Sequence, residues 1–228
     1  MAADTANHIN HIPNTFPFNL LNNMSTYSAS PHIPIFIIGL PRPGTMLTEQ
    51  ILCTDNDVES CGELDIIQRF IQHIEKQLNK NYPECLEYLD HSELISFLQL
   101  YLAHQKTLHP STKYIIDKQS TNFIHLGLIQ RLFPEAKIIH TIRGKEEYCL
   151  SCYFQNFKVG NEFCFDLNET ILFYNEAMSL MKIWSEKLCN EVHNLKYENI
   201  VLDFDETNKT LFDHIGQCVV GRLSLLLQ

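Results

Sequence analysis

The run "PIFIIGLPRPGTMLTEQIL", residues 34–52, constrains the fold more than any other stretch. Ile33 to Leu40 is apolar almost throughout and rich in isoleucine. It lacks the period-two alternation of a strand with one face in water. A continuous run of this kind reads as a strand covered on both faces, the usual situation in a parallel sheet. A short loop, Pro41 to Gly44, follows, and then a helical pattern from about Thr45 to Cys53.

The rest of the chain repeats the alternation. Helices are expected over Leu64 to about Leu78 and Ser92 to about His104, with Ser92 as N-cap. Tyr114 to Ile116 is a short strand, Leu126 to Phe133 a helix stopped by Pro134, and Ala136 to Ile142 a clear strand. Glu146 to Phe154 and Leu167 to about Val192 read as helices. Leu195 to Tyr197 and Ile200 to Val201 read as further strand. Short strands alternating with helices predict an α/β domain with a mostly parallel sheet covered on both faces and right-handed crossovers. Ligands in such folds sit beyond the carboxyl ends of the strands. Arg42 to Thr45, Lys118 and Arg143 each follow a strand end.

Residues 1–31 are polar and Asn-rich, and read as a flexible N-terminal arm or linker remnant ahead of a domain spanning 32–228. His8 and His11 there read as stray tail histidines. A formal charge of −10 argues against broad nucleic-acid binding. No apolar run reaches the ~20 residues of a membrane span. The eight cysteines lie scattered in apolar segments, and the start lacks a secretory signature, so reduced, mostly buried thiols in a cytoplasmic protein are expected. Cys149 and Cys152 form a CxxC without a second ligand pair, and read as core packing on one helix face.

Gly39-Leu40-Pro41-Arg42-Pro43-Gly44-Thr45-Met46 has the glycine spacing of a Walker A loop, which makes the expected three-layer α/β/α fold P-loop-like. A triphosphate loop needs Lys and then Ser or Thr after its second glycine. Those places hold Thr45 and Met46, so an ATPase, GTPase or magnesium-dependent kinase is disfavoured. A loop feeding a helix N-terminus is still an anion site. From the loop alone, a Gly-Pro turn remains equally open.

Together with "CGELDII", "DKQSTNFIHLGLIQRLFPEAKIIHTIR" and "CLSCYFQNF", in that order, this loop resembles the bacterial sulfotransferases often fused to tetratricopeptide repeats. These are relatives of the protein-tyrosine sulfotransferases, and the similarity runs from about Pro34 to about Gly216. The resemblance implies transfer of a sulfuryl group from 3′-phosphoadenosine 5′-phosphosulfate (PAPS) to an alcohol, phenol or peptide tyrosine, leaving 3′-phosphoadenosine 5′-phosphate (PAP).

It also implies roles. Arg42, Gly44 and Thr45 would hold the donor's 5′-phosphosulfate. Arg143 and Ser151 would hold its 3′-phosphate, with Lys145 nearby, and Tyr197 would border the adenine. Glu63 would be the general base. Lys118, with Arg42, would neutralise charge on the sulfuryl oxygens, so that no metal is needed. Asn122 and Phe123 would position and pack.

Pro43 and Met46 stand where the family has Ser and Thr. They remove a backbone donor and two hydroxyls from the loop. At about 1.5–3 kcal/mol per donor lost to a charged group, two such losses weaken donor binding by ~10²–10⁴-fold. The C-terminus, "CVVGRLSLLLQ", reads as a shortened version of the family's closing segment, with Arg222 near the 3′-phosphate as its remnant. The alternative reading is a degenerate nucleotide-binding or interaction protein that kept the fold without the chemistry. The acceptor's identity and the oligomeric state carry no mark in the sequence.

Overall fold

Five parallel strands form the centre of the molecule in the computed structural model, which describes residues 2–22, 32–108, 112–155 and 162–218. They are β1 (Ile33–Gly39), β2 (Val58–Ser60), β3 (Tyr114–Asp117), β4 (Lys137–Ile142) and β5 (Val192–Lys196), in the order β2-β3-β1-β4-β5. The central strand explains the unbroken apolar run. Phe36 and Ile38 enter a core on one face, Ile35 and Ile37 a second core on the other.

The larger core is closed by six helices: α1 (Ala2–Thr15), α3 (Ile66–Leu78), α4 (His91–Leu108), α5 (Leu126–Leu132), α6 (Lys145–Tyr153) and α7 (Leu167–Lys187). The smaller is closed by α2 (Thr45–Leu52), α8 (Tyr197–Leu202) and α9 (Phe204–Ile215). This is the expected α/β/α layering. Among the described residues no helix is long and apolar enough to cross a membrane.

The structure differs from the sequence reading in several places. The expected arm is a helix that packs into the larger core over part of its length. Ile9, Ile12 and Phe16 are buried, spaced three and four apart within an Asn-rich run that hides the stripe. The Phe16 ring meets Trp184 edge-on at 5.1 Å, and Gly127 leaves room for that ring. Burial of three such side chains at about 1.5–3 kcal/mol each outweighs the polar composition. His11 is also engaged, 2.7 Å from Glu84.

At the start of α4, Asp90 rather than Ser92 caps the helix. Its carboxylate accepts from the Glu93 amide at 2.8 Å, while Glu93 accepts from the Asp90 amide, a reciprocal capping box. The long helix stops at Lys187, because the Gln130 side chain accepts from the Cys189 amide at 2.8 Å and turns the chain into β5. Tyr197, Ile200 and Val201 are helical, not strand: Ile200 faces the smaller core and Val201 faces solvent. The sequence walk missed β2 and α9. Cys85, Cys149, Cys152 and Cys164 are buried free thiols, while Cys53, Cys189 and Cys218 are exposed ones. Cys149 and Cys152 pack in the core as expected, as does Cys164. Arg222 lies outside the described residues.

Candidate active site

All five strands end on the same edge, and the order reverses around β1, so a crevice opens where the loops after β1, β3 and β4 diverge. Register decides which residues meet there. Ile142 pairs with Lys196, so the next residues, Arg143 and Tyr197, emerge side by side. Ser60 pairs with Ile116, which carries Glu63 alongside Lys118; the Lys118 amide donates to Gly62 O at 2.8 Å.

The result is a cleft of about 520 Å³ lined by Arg42, Gly44, Thr45, Glu63, Arg143 and Tyr197, with Met46 and Gln119 to Thr121 among the remaining wall residues. Its loop is held in demanding backbone conformations. Arg42, flanked by two prolines, has φ 66°, in the left-handed region that a non-glycine residue adopts at a cost of about 1–3 kcal/mol. Gly44 has φ 99°, and a Cβ there would lie 2.7 Å from the Tyr197 ring. No side chain caps α2, so the amides of its first turn are left for another acceptor. Met46 stands 63% exposed beside them, whereas Pro43 is buried, turned toward Gly39.

The Arg143 guanidinium lies over the Tyr197 ring, 4.9 Å from its centroid. Its Nη1 reaches Arg42 O at 3.5 Å, and its Nε is buried with no hydrogen-bond partner among the described residues. Neither Arg42 nor Arg143 forms an ion pair among those residues. Two cations thus share one cleft without a carboxylate between them. Below them the Tyr174 hydroxyl donates to Arg143 O at 3.1 Å. Glu198 accepts from the Gly144 amide at 2.8 Å and so occupies the start of α6.

At the other end of the cleft the charges are paired. Lys118, almost buried, donates to Glu63 at 2.9 Å and lies 3.8 Å from Glu49. Glu49 in turn accepts from the Ser60 hydroxyl. One residue back, Asp117 is fully buried and accepts from the Tyr101 hydroxyl at 2.8 Å and the Gln119 amide at 3.1 Å. Burial pushes its carboxyl up to about 7 despite these bonds.

Arg42, Gly44, Thr45, Met46, Glu63, Arg143 and Tyr197 therefore converge. Lys118 sits just beneath, in contact with Glu63. Pro43 lies behind the loop, and Ser151, half-buried on α6, is outside the cleft wall. The sequence reading missed Glu49, Glu198 and the Gln119–Thr121 wall. The polar triplet following Lys118 at a strand end was the available signal for the last. Glu49 and Glu198 are ordinary helix glutamates until the register places them.

A strand–loop–helix turn with an uncapped helix start thus faces a lysine–glutamate pair across one cleft. The sulfotransferase family profile matches residues 34–218, and the chain belongs to that family. An uncharacterized protein of Aquifex aeolicus (strain VF5) is 33% identical over 189 residues, covering 79% of this chain and 25% of that one. The chain thus spans about a quarter of that relative's length. Among solved structures, a sulfotransferase from Alicyclobacillus acidocaldarius superposes with a TM-score of 0.54 at 15% identity, covering 82% of each chain. One from Mycobacterium avium gives 0.56 at 10% identity, covering 96% of this chain and 73% of that one. Both share the fold.

Proposed function

We propose that the chain transfers a sulfuryl group from PAPS to an acceptor hydroxyl, with Glu63 as general base and without a metal ion. The observation that carries this reading is the pair of carboxylate-free guanidiniums, Arg42 and Arg143, in one cleft with the Glu63–Lys118 pair at its far end. The residues fit a doubly anionic nucleotide: Arg143 Nε is unpartnered and the start of α2 is uncapped.

When bound, the donor supplies an electrophilic sulfur and PAP as leaving group. Arg42, the Gly44 backbone and Thr45 hold the 5′ end and Arg143 the 3′-phosphate; Ser151, outside the cleft wall, is left without that role. Tyr197, fixed between Gly44 and Arg143, borders the adenine. Glu63 takes the acceptor's proton as its oxygen bonds to sulfur and the sulfur–oxygen bond to the PAP phosphate breaks, the electron pair leaving with PAP. On protonation Glu63 loses its charge, which loosens its hold on Lys118. As the sulfur–oxygen bond breaks, Lys118, 3.8 Å from Glu49, turns to the leaving oxygen. A reducing, cytoplasmic setting suits the eight free thiols.

The test is titration with PAP by calorimetry, paired with transfer of labelled sulfate to hydroxyl acceptors. Glu63→Gln is expected to lower kcat by ~10²–10⁴-fold while PAP affinity stays within about threefold. PAP binding without transfer by the parent chain leaves a nucleotide-binding protein instead. Absence of PAP binding removes the reading.

A further inference from the structure

A second and larger hollow, about 970 Å³, runs between α3 and α4 and meets the cleft at Glu63, which lines both. Its floor is apolar. Phe70 stacks on Phe97 with ring centroids 4.0 Å apart and planes 15° from parallel, flanked by Leu64 and Ile74. Leu100 extends the wall and is 61% exposed, an apolar side chain left open to whatever enters.

The groove's carboxylates and its arginine are few and already engaged, and His73 and His104 are its remaining ionisable side chains. Among the described residues Arg69 is the only Lys or Arg in the lining, and Asp65 holds it at 2.7 Å. Glu93 is tied to the Gln77 amide at 2.8 Å and to the Asp90 cap. An acidic peptide entering here would set its carboxylates against Glu63, Asp65 and Glu93 with no free guanidinium or ammonium in the lining to meet them.

We infer that the acceptor is an uncharged hydroxyl compound with a large apolar body, such as an alkylated phenol or a long-chain alcohol, whose body lies in the α3–α4 groove and whose hydroxyl reaches Glu63. This rests on the sulfotransferase reading and deepens it. The volume suits a ligand of some tens of heavy atoms. Each methylene buried in the groove tightens binding by about fourfold, until the groove is filled.

The probe is para-octylphenol, titrated by calorimetry without donor, and then used as acceptor beside a tyrosine peptide flanked by glutamates. The parent chain should bind the phenol, and shorter para-alkylphenols progressively more weakly. Leu100→Glu and Leu100→Lys, both at an exposed position, should weaken phenol binding at least tenfold and leave PAP affinity and melting temperature unchanged. Equal phenol affinity in parent and variants overturns the assignment, as does a higher kcat/KM for the acidic peptide. In either case an intact PAP titration leaves the sulfotransferase reading standing. A parent dimer split by Leu100→Glu with phenol binding unaltered makes the groove an interface and overturns it too. Loss of PAP binding with phenol binding retained sinks the underlying reading, and the acceptor assignment with it.

Discussion

The two hollows that meet at Glu63 are built by different means. The cleft is made at strand ends: its loop has fixed backbone angles, its arginines stand where register puts them, and most of its lining side chains carry a polar group. The groove is made from the facing sides of two helices, and its shape is that of interleaved side chains such as Phe70 on Phe97. A wall set by hydrogen-bonded register cannot be re-aimed by one substitution. A wall of helix side chains can be changed residue by residue with the frame intact. The fixed frame thus suits the proposed donor, and the exchangeable wall the proposed acceptor.

The largest effect should come from breaking the cleft alone. Arg143→Ala removes the guanidinium over Tyr197 and, in the proposed complex, at least two charge-assisted hydrogen bonds to the nucleotide. At about 1.5–3 kcal/mol each, PAP affinity should fall by ~10²–10³-fold or more. Binding of para-octylphenol should not change. Calorimetry with both ligands reads the two hollows independently. A variant that loses both together would mean that they are one site, and a variant that keeps PAP would mean that Arg143 does not face it.

The same contrast decides what was legible in the sequence. The isoleucine run, Gly39, Gly44 and the strand ends at Lys118 and Arg143 are local signals, and they led to the sheet, its layering and most of the cleft. Glu63 and Lys118 were named from the family resemblance, but their contact follows from β2 pairing with β3, and β2 is three residues long and lacks apolar alternation. Glu49, which braces Lys118, needs the same pairing, because its Ser60 partner lies on β2. The groove left only helical packing patterns, since the residues that line it also obey the helix's own apolar periodicity. The helix at the N-terminus was misread because three apolar residues that matter are outnumbered by polar ones that do not.

A smaller effect sharpens the view of the loop. The sequence counted Pro43 and Met46 as equivalent losses of donors. The structure separates them: Pro43 is turned inward behind the loop, while Met46 is open to the cleft. Met46→Thr alone should tighten PAP by about tenfold, the gain of one hydroxyl donor to a charged group. Pro43→Ser alone should tighten it by about threefold or less. Unchanged affinity in the double variant would mean that the loop does not touch the nucleotide.

The smallest effect probes what lies beneath both hollows. Asp117 precedes Lys118 and is sealed under Tyr101, and burial lifts its carboxyl from 3.8 to about 7. Between those values the folded chain keeps a proton that the unfolded chain has released. Stability contributed by the protonated form is therefore complete below about pH 4 and is lost as pH rises through about 7. Asn at this position cannot titrate, so the melting temperature of Asp117→Asn minus that of the parent should climb between those pH values and level off above. His140, held down to about 4 by its own burial, titrates in both chains and cancels in the difference. The full shift, at about 1.4 kcal/mol per pH unit and about 2–4 °C per kcal/mol, sets a ceiling on that rise on the order of 10 °C. PAP and octylphenol affinities at pH 8 should match those of the parent, because Asp117 touches neither hollow. A difference independent of pH would mean that water reaches this carboxylate, and that the floor joining the two hollows is looser than its hydrogen bonds require.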